Sequence, residues 1–554
     1  MTTDHPNQSN QDSSDMIPQV QGHASAQTGE PTSKEPVSRL LKHRLAKPIA
    51  IGGVALIILI LVFTLMPGGG NGKGNIVNRT SAVLTYSVDD VGTVLLQGNK
   101  HELEDETETI MLSLNQSAAA ALTDFDYSEG GVLWHLSGKN KVKVAEEVMN
   151  FYISDNGKTI AYITDYDEDY ESGTLYLFDG KKSEIVDRDV YNHIFNVSPD
   201  GKSVFYLKDV DLDSDYPEMS TYVKVGKKKP ERLGDNLVPL ALANGGKYLY
   251  YAEIDEDDGD IADIYVKKGK TETRLRSNVP MDYFSAMFNS DYSQVILRDD
   301  GRSYLSIDGG ESTAIGRANL YAPAQNIASR NWFEQTFSVY AVKDLTQTVF
   351  YSDDGDIVKI TRAGDSEKVA RGVGSALLTD DLKAIVYVDS RDRIVRKSLK
   401  DPNAEEQILA SEARRFTMSP DAKLVYYIDD YDDLFVVKGN AQPERLASDV
   451  EWSSLSMAYD NKHVLFLTDY RNEEGTLHIS KNGGKPSKLD EDVYNIVITP
   501  EGLYYAKDYS GGYFDLYYSK NLSKSEKLDQ DVESMRLLMS QYTYPIGGSY
   551  DYGY

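Results

Sequence analysis

The sequence predicts an all-β chain of about ten four-stranded repeats, each of roughly 40 residues, preceded by a single transmembrane α-helix. Three observations carry this. A turn signature ending in lysine recurs at near-constant spacing, short apolar strands lie between the turns, and one uncharged apolar run stands near the N-terminus. The 554 residues include no cysteine, which excludes disulfide frameworks, zinc-thiolate sites, iron–sulfur clusters and cysteine nucleophiles. The 39 tyrosines and 42 glycines suit strands and tight turns. Lys+Arg 58 against Asp+Glu 87 gives −29 at pH 7, a balance that argues against a grip on nucleic acid or on anionic lipid.

Residues 1–47 read as a disordered cytoplasmic tail, because Met1 to Thr32 is rich in Gln, Ser, Asn and Thr and has almost nothing to bury. The span is placed at 48–66. Ile49 to Met66 carries no charge and makes roughly 27 Å of helix, close to the ~30 Å hydrocarbon layer. Pro48 stands at its start and Pro67-Gly68-Gly69-Gly70 stops it. Lys34, Arg39, Lys42, Arg44 and Lys47 precede it, so the positive-inside bias keeps the N-terminus in the cytoplasm and exports the rest. The run starts late and no A-x-A-type site follows, so an uncleaved single-pass anchor is expected rather than a signal peptide. The acids and bases of 1–47 cancel, which leaves the whole −29 beyond the span. A flexible linker, 67–81, follows.

The repeats are marked by Ser154-Asp155-Asn156-Gly157-Lys158, Ser198-Pro199-Asp200-Gly201-Lys202 and Asn244-Gly245-Gly246-Lys247. Asp380-Asp381-Leu382-Lys383, Ser419-Pro420-Asp421-Ala422-Lys423 and Asp460-Asn461-Lys462 continue them, and weaker copies stand near Ser117, Gln294, Gln347 and Thr499. One unit shows the grammar. Phe416-Thr417-Met418 is a strand, Ser419 to Ala422 a turn, and Leu424 to Ile428 a strand apolar on both faces. An acidic tip, Asp429 to Asp433, leads to Leu434-Phe435-Val436-Val437, then a fourth strand around Glu444-Arg445-Leu446 closes at Asp449-Val450. Asp189-Val190, Asp492-Val493 and Asp531-Val532 repeat that ending. Small sheets whose inner strands are apolar on both faces need cover on both sides. Stacking each between two copies of itself supplies it, and radial stacking makes a β-propeller.

The pattern of Ser198 to Tyr206 (SPDGKSVFY), followed by Asp155 to Tyr162 with Leu175-Tyr176, resembles the TolB-type, WD-like propeller repeat. The resemblance covers about residues 110–532 and implies a propeller, with little about activity. It does not extend to TolB's periplasmic partner role, since the N-terminal anchor departs from a cleaved export signal.

Both ends leave incomplete sheets. Val83 to Tyr86, Val94 to Gln97 and the region of Glu102 lack a first strand, and Met535 to Met539 is a strand without successors, so the ends are expected to complete one mixed blade. The weakest repeat, Asp308 to Asn331, suggests a boundary between two halves, 82–320 and 321–540; one ring of ten or eleven blades is the other reading. Residues 541–554 form a Tyr/Gly-rich tail, read as flexible.

Candidate chemistry is sparse. Alternating carboxylates at Asp165, Asp167 and Asp169 and at Asp209, Asp211 and Asp213 resemble the start of a calcium loop. The EF-hand template then fails: its sixth and twelfth positions hold Tyr170 and Tyr176, or Ser214 and Ser220. Soluble hairpin tips are the preferred reading, with weak calcium binding the other and no cofactor otherwise expected. No G-x-S-x-G elbow occurs. The five exported histidines, His101, His135, His193, His463 and His478, suggest no cluster. The expected function is therefore a non-catalytic, membrane-anchored extracytoplasmic module that binds a protein or cell-envelope ligand and no nucleic acid. A cell-envelope hydrolase or lyase with carboxylates in a propeller funnel is the alternative, and a sensor acting through the cytoplasmic tail a third.

Overall fold

The computed structural model describes residues 76–78 and 82–539, apart from 212–217, 256–259, 317–319, 324–328, 331–334, 337–340, 348, 353, 362–363, 380, 382 and 402–403. The expected cytoplasmic tail, the span and the Tyr/Gly-rich tail lie outside the described residues, as does most of the linker. Among the described residues no helix is long and apolar enough to cross a membrane.

The described chain is all β. Five four-stranded sheets and three seven-stranded sheets account for nearly all strands. Each seven-stranded sheet is two four-stranded meanders sharing one long bent strand: Asn99–Leu112, Ser183–Val197 or Ser487–Thr499. Three pairs and five singles make eleven antiparallel meanders among the described residues. In chain order the first comprises 82–106 with 534–539. The others are 107–148, 150–190, 190–235, 237–280, 285–314, 320–370, 375–410, 413–447, 456–493 and 493–532.

The stacking follows from strand alternation. In the ninth sheet, Leu424–Asp429 sends Val425 and Tyr427 into a core shared with the eighth sheet, and Tyr426 and Ile428 into one shared with the tenth. Successive side chains of a strand point to opposite faces, so one short run lines two interfaces. The same logic extends through the whole set. Core clusters lead from each sheet to the next and from the eleventh back to the first, where Tyr504 and Leu516 meet Leu84, Tyr86 and Leu537. Repeated four-stranded meanders covered on both faces in this way are a β-propeller arrangement. The cluster of Met287, Ile296, Leu305, Leu320, Leu345 and Phe350 runs across the position where the sequence suggests a boundary between halves.

The chain ends meet as the incomplete strands imply. Ser534–Met539 pairs antiparallel with Ala82–Val88, from Ala82↔Met539 to Ser87↔Ser534, and supplies the first strand of the first sheet.

The Asp-Val endings have a backbone cause. Asp189, Asp449, Asp492 and Asp531 adopt φ of 54, 57, 55 and 56°, and the valine after each is at most 1 % exposed. A left-handed residue bends the fourth strand so that its last apolar side chain drops into the core. Aspartate and asparagine tolerate that conformation best after glycine.

The weak repeat also has an explanation. The seventh sheet's first two strands, Leu320–Pro323 and Val349–Ser352, are joined by a long excursion rather than a turn. Within it Ser329–Arg330 pairs with Gln335–Thr336 and lies against Ser456–Met457 and Ser487–Thr499. Ala341–Val342 pairs with Ile76–Asn78, just ahead of the first sheet.

Candidate binding face

In an antiparallel meander, the connections between strands one and two and between three and four leave at one end. The connection between two and three leaves at the other. The eleven sheets keep these ends in common. Asn115 donates through Nδ2 to the Asn156 carbonyl (3.1 Å), Asn156 Nδ2 donates to the Asp200 carbonyl (2.9 Å), and Asp200 N donates to Asn244 Oδ1 (2.8 Å). The first turns of the second to fifth sheets are thus laced along one face, the turn face. Gly157 fits there because a Cβ on it would stand 2.8 Å from Ser117 Oγ and 2.9 Å from Ala118 Cβ of the neighbouring turn. On the opposite face Tyr509 N donates to Glu474 Oε1 (3.2 Å), joining the tips of the eleventh and tenth sheets.

That opposite face, the tip face, holds most of the charge. Its second-to-third connections, taken with the strand ends that flank them, are 89–90, 124–129, 165–171, 209–218, 253–260, 299–302, 353–356, 389–393, 429–433, 469–474 and 508–513. Their described residues include 30 acids, four arginines and no lysine, a net −26 against −29 for the chain. Of the cation candidates, Asp165, Asp167, Asp169, Asp209 and Asp211 are exposed on this face, and Asp213 lies outside the described residues. Asp165 and Asp209 take φ of 52 and 53°. Asp167 Oδ1 accepts from Asp169 N at 3.0 Å, and Asp429 Oδ1 accepts from Tyr431 N and Asp433 N at 2.9 Å. Asp167 and Asp429 thereby close their own turns, the local role that favours Asp in such loops. Among the described residues no three His, Asp or Glu side chains are grouped to hold a metal ion.

The same face carries aromatic rings that sequence reading passed over. Tyr127, Tyr170 and Tyr431 are 82, 75 and 79 % exposed at three tips. Trp452 lies 4.9 Å from the Arg414 guanidinium, and Tyr494 stacks on Tyr509 with centroids 4.3 Å apart. Their signal was available as a tyrosine inside each of these three acidic runs, on tips that a propeller brings to one rim. The histidines do not converge. His101 and His135 bond the carbonyls of Gly138 and Gly157 (3.0 and 2.9 Å), His193 lies 3.6 Å from Glu171, His463 pairs with Asp460, and His478 stacks on Phe466.

Burial pushes up two turn carboxyls, Glu501 in the eleventh sheet and Asp155 in the third, the latter to about 7. Asp155 stands where the other turns carry Pro199 and Pro420. A carboxyl raised in the fold is harmless below its ordinary value, loses stability as pH rises toward 7, and carries its full penalty above that. Asp155→Asn is therefore expected to be at least about 1 kcal/mol more stable than wild type at pH 8 and equal to it at pH 3.5. Urea midpoints at the two pH values measure this, and an equal gain at both refutes the assignment.

No family model matches this chain, and no curated protein does. Solved structures with partial likeness include a eukaryotic initiation factor, at 10 % identity over 74 % of this chain and 97 % of that one, TM-score 0.34. The β-propeller domain of the Trilobed protease from Pyrococcus furiosus is 11 % identical over 62 % of this chain and 97 % of its own, TM-score 0.28. A protein described as TolB from Agrobacterium tumefaciens is 15 % identical over 43 % and 88 %, TM-score 0.25. The propeller assignment rests on strand order, stacking and end closure, not on these scores.

Proposed function

We propose that the chain is a non-catalytic binding module: one ring of eleven blades, tethered to the cell membrane by residues 49–66 and displayed outside the cytoplasm. The observation that carries this reading is the tip face, where the described residues gather a net −26 with exposed tyrosines and no lysine. A surface of that kind selects a protein or envelope ligand with a cationic, aromatic-compatible face, and long-range attraction speeds its docking. The cycle of core clusters supports a single ring, and the uncharged run with its basic N-terminal flank supports the anchor.

Affinity capture from solubilised envelope tests the reading. Full-length protein is compared with a variant in which Asp165, Asp167, Asp169, Asp209 and Asp211 are replaced by Asn. The expected result is a ligand retained by wild type at about 0.1 M salt, released at about 0.5 M, and bound at least tenfold more weakly by the variant. Identical captures by the two proteins reject it.

A further inference from the structure

We infer that the turn face is a membrane-docking surface: a lysine sector on the second to fifth sheets rests on the anionic headgroups of the bilayer that holds residues 49–66. The inference rests on the anchor proposed above and adds an orientation and a ligand.

The first support is where the chain joins the ring. Ala82–Val88 ends at the tip Asp89-Asp90, with Val88 opposite Val91, so Ala82 lies at the other end, on the turn face. Ile76–Asn78 is paired to Ala341–Val342, within the first-to-second connection of the seventh sheet, which also belongs to that face. Only residues 67–75 separate Met66 from Ile76. Nine residues reach about 30 Å when fully extended. A tether that short, attached to the turn face, holds that face toward the bilayer and the tips away.

The second support is charge. The third-to-fourth turns of these four sheets, 138–141, 179–182, 226–229 and 267–270, contain ten lysines and one acid, Asp179. Lys139, Lys181, Lys227, Lys228, Lys229 and Lys270 are exposed, and among the described residues none of the six is ion-paired. The sector adjoins the first sheet, where the chain arrives. Lysines within a Debye length of an anionic leaflet are attracted to it, and the acidic tips on the far face are repelled. The whole-chain charge, which argues against lipid, averages over acidic tips and a lysine-rich sector at the opposite ends of the sheets.

The test uses the full chain reconstituted in vesicles of phosphatidylcholine alone or with about 30 per cent phosphatidylglycerol. Flotation with both compositions is the readout of the anchor, and failure to float with phosphatidylcholine rejects the anchor itself. Amine acetylation read by mass spectrometry then addresses the face. Lys227, Lys228 and Lys229 are expected to react at least threefold more slowly in the anionic vesicles, with protection lost at about 0.5 M salt. The triple variant K227E/K228E/K229E is expected to lose protection at Lys181 and Lys270 as well. Equal rates in the two vesicles, or protection supplied by phosphatidylcholine alone, overturn the inference.

Discussion

Ending the chain at Val532 is expected to lower the unfolding midpoint more than any single substitution, because it removes the strand that closes the first sheet. Ser534–Met539 is bonded along Ala82–Val88 over six residue pairs, and it buries Met535 and Leu537 against Leu84, Tyr86 and Tyr504. Each such side chain contributes about 1.5–3 kcal/mol by burial. The loss also exposes the apolar face of Ala82–Val88 and leaves its edge unpaired, which invites association between copies. A total of at least about 5 kcal/mol is expected from these terms, with aggregation on heating. Leu537→Ala, which keeps the strand, is expected to cost about 2–4 kcal/mol. A chain ending at Ser540 is the control and is expected to unfold with wild type. Urea unfolding followed by tyrosine fluorescence measures all three, and a Val532 truncation with an unchanged midpoint refutes closure by this strand.

That closure was legible because both ends of the repeat array were visibly short of a blade. The Asp-Val endings were legible for a local reason too, since a strained backbone position selects its residue type wherever it recurs. Strand order in the ninth sheet follows the sequence grammar nearly residue for residue, with Leu434–Lys438 and Glu444–Ala447 where the pattern puts them. What stayed hidden depends on where different blades meet. Recurring acidic tips such as Asp165 and Asp429 already imply one rim in a propeller, but the exposure of Tyr127, Tyr170 and Tyr431 beside them does not follow from the sequence. The lysines of 226–229 and 267–270 form no motif along the chain, and the shared end of the meanders is what brings them together. The excursion after Pro323 reads as a failed repeat because its short strands pair with each other or, for Ala341–Val342, with distant Ile76–Asn78 rather than within the seventh sheet.

The second large effect is expected at a clasp that joins neighbouring blades and explains part of the tyrosine content. Tyr505, in the second strand of the eleventh sheet, donates its hydroxyl to Asp490 Oδ2 at 2.6 Å, and Lys507 Nζ lies 2.7 Å from Oδ1; Asp490 belongs to the outer strand of the tenth sheet. The arrangement recurs. Tyr206 and Lys208 hold Asp187 between the third and fourth sheets, at 2.7 and 3.4 Å, and Tyr86 and Lys100 hold Asp529 between the eleventh and first, at 3.0 and 3.1 Å. Burial raises the Asp490 carboxyl, but Lys507 and Tyr505 outweigh it and keep it below the usual carboxylate range; Asp529 is held low in the same way by Lys100 and Tyr86. A carboxyl lowered in the fold stabilises fully above its ordinary value near 4 and loses that contribution as pH falls through its lowered one. Asp490→Asn keeps the shape, removes the charge and leaves Lys507, 16 % exposed, without its partner. It is expected to cost about 1–3 kcal/mol at pH 7, with the gap to wild type closing toward pH 2. Glu184→Gln, which breaks the exposed pair with Lys182, is expected to leave the midpoint unchanged at every pH. A gap between Asp490→Asn and wild type that stays constant from pH 7 to pH 2 would mean the clasp acts through packing alone, and its electrostatic role would fall.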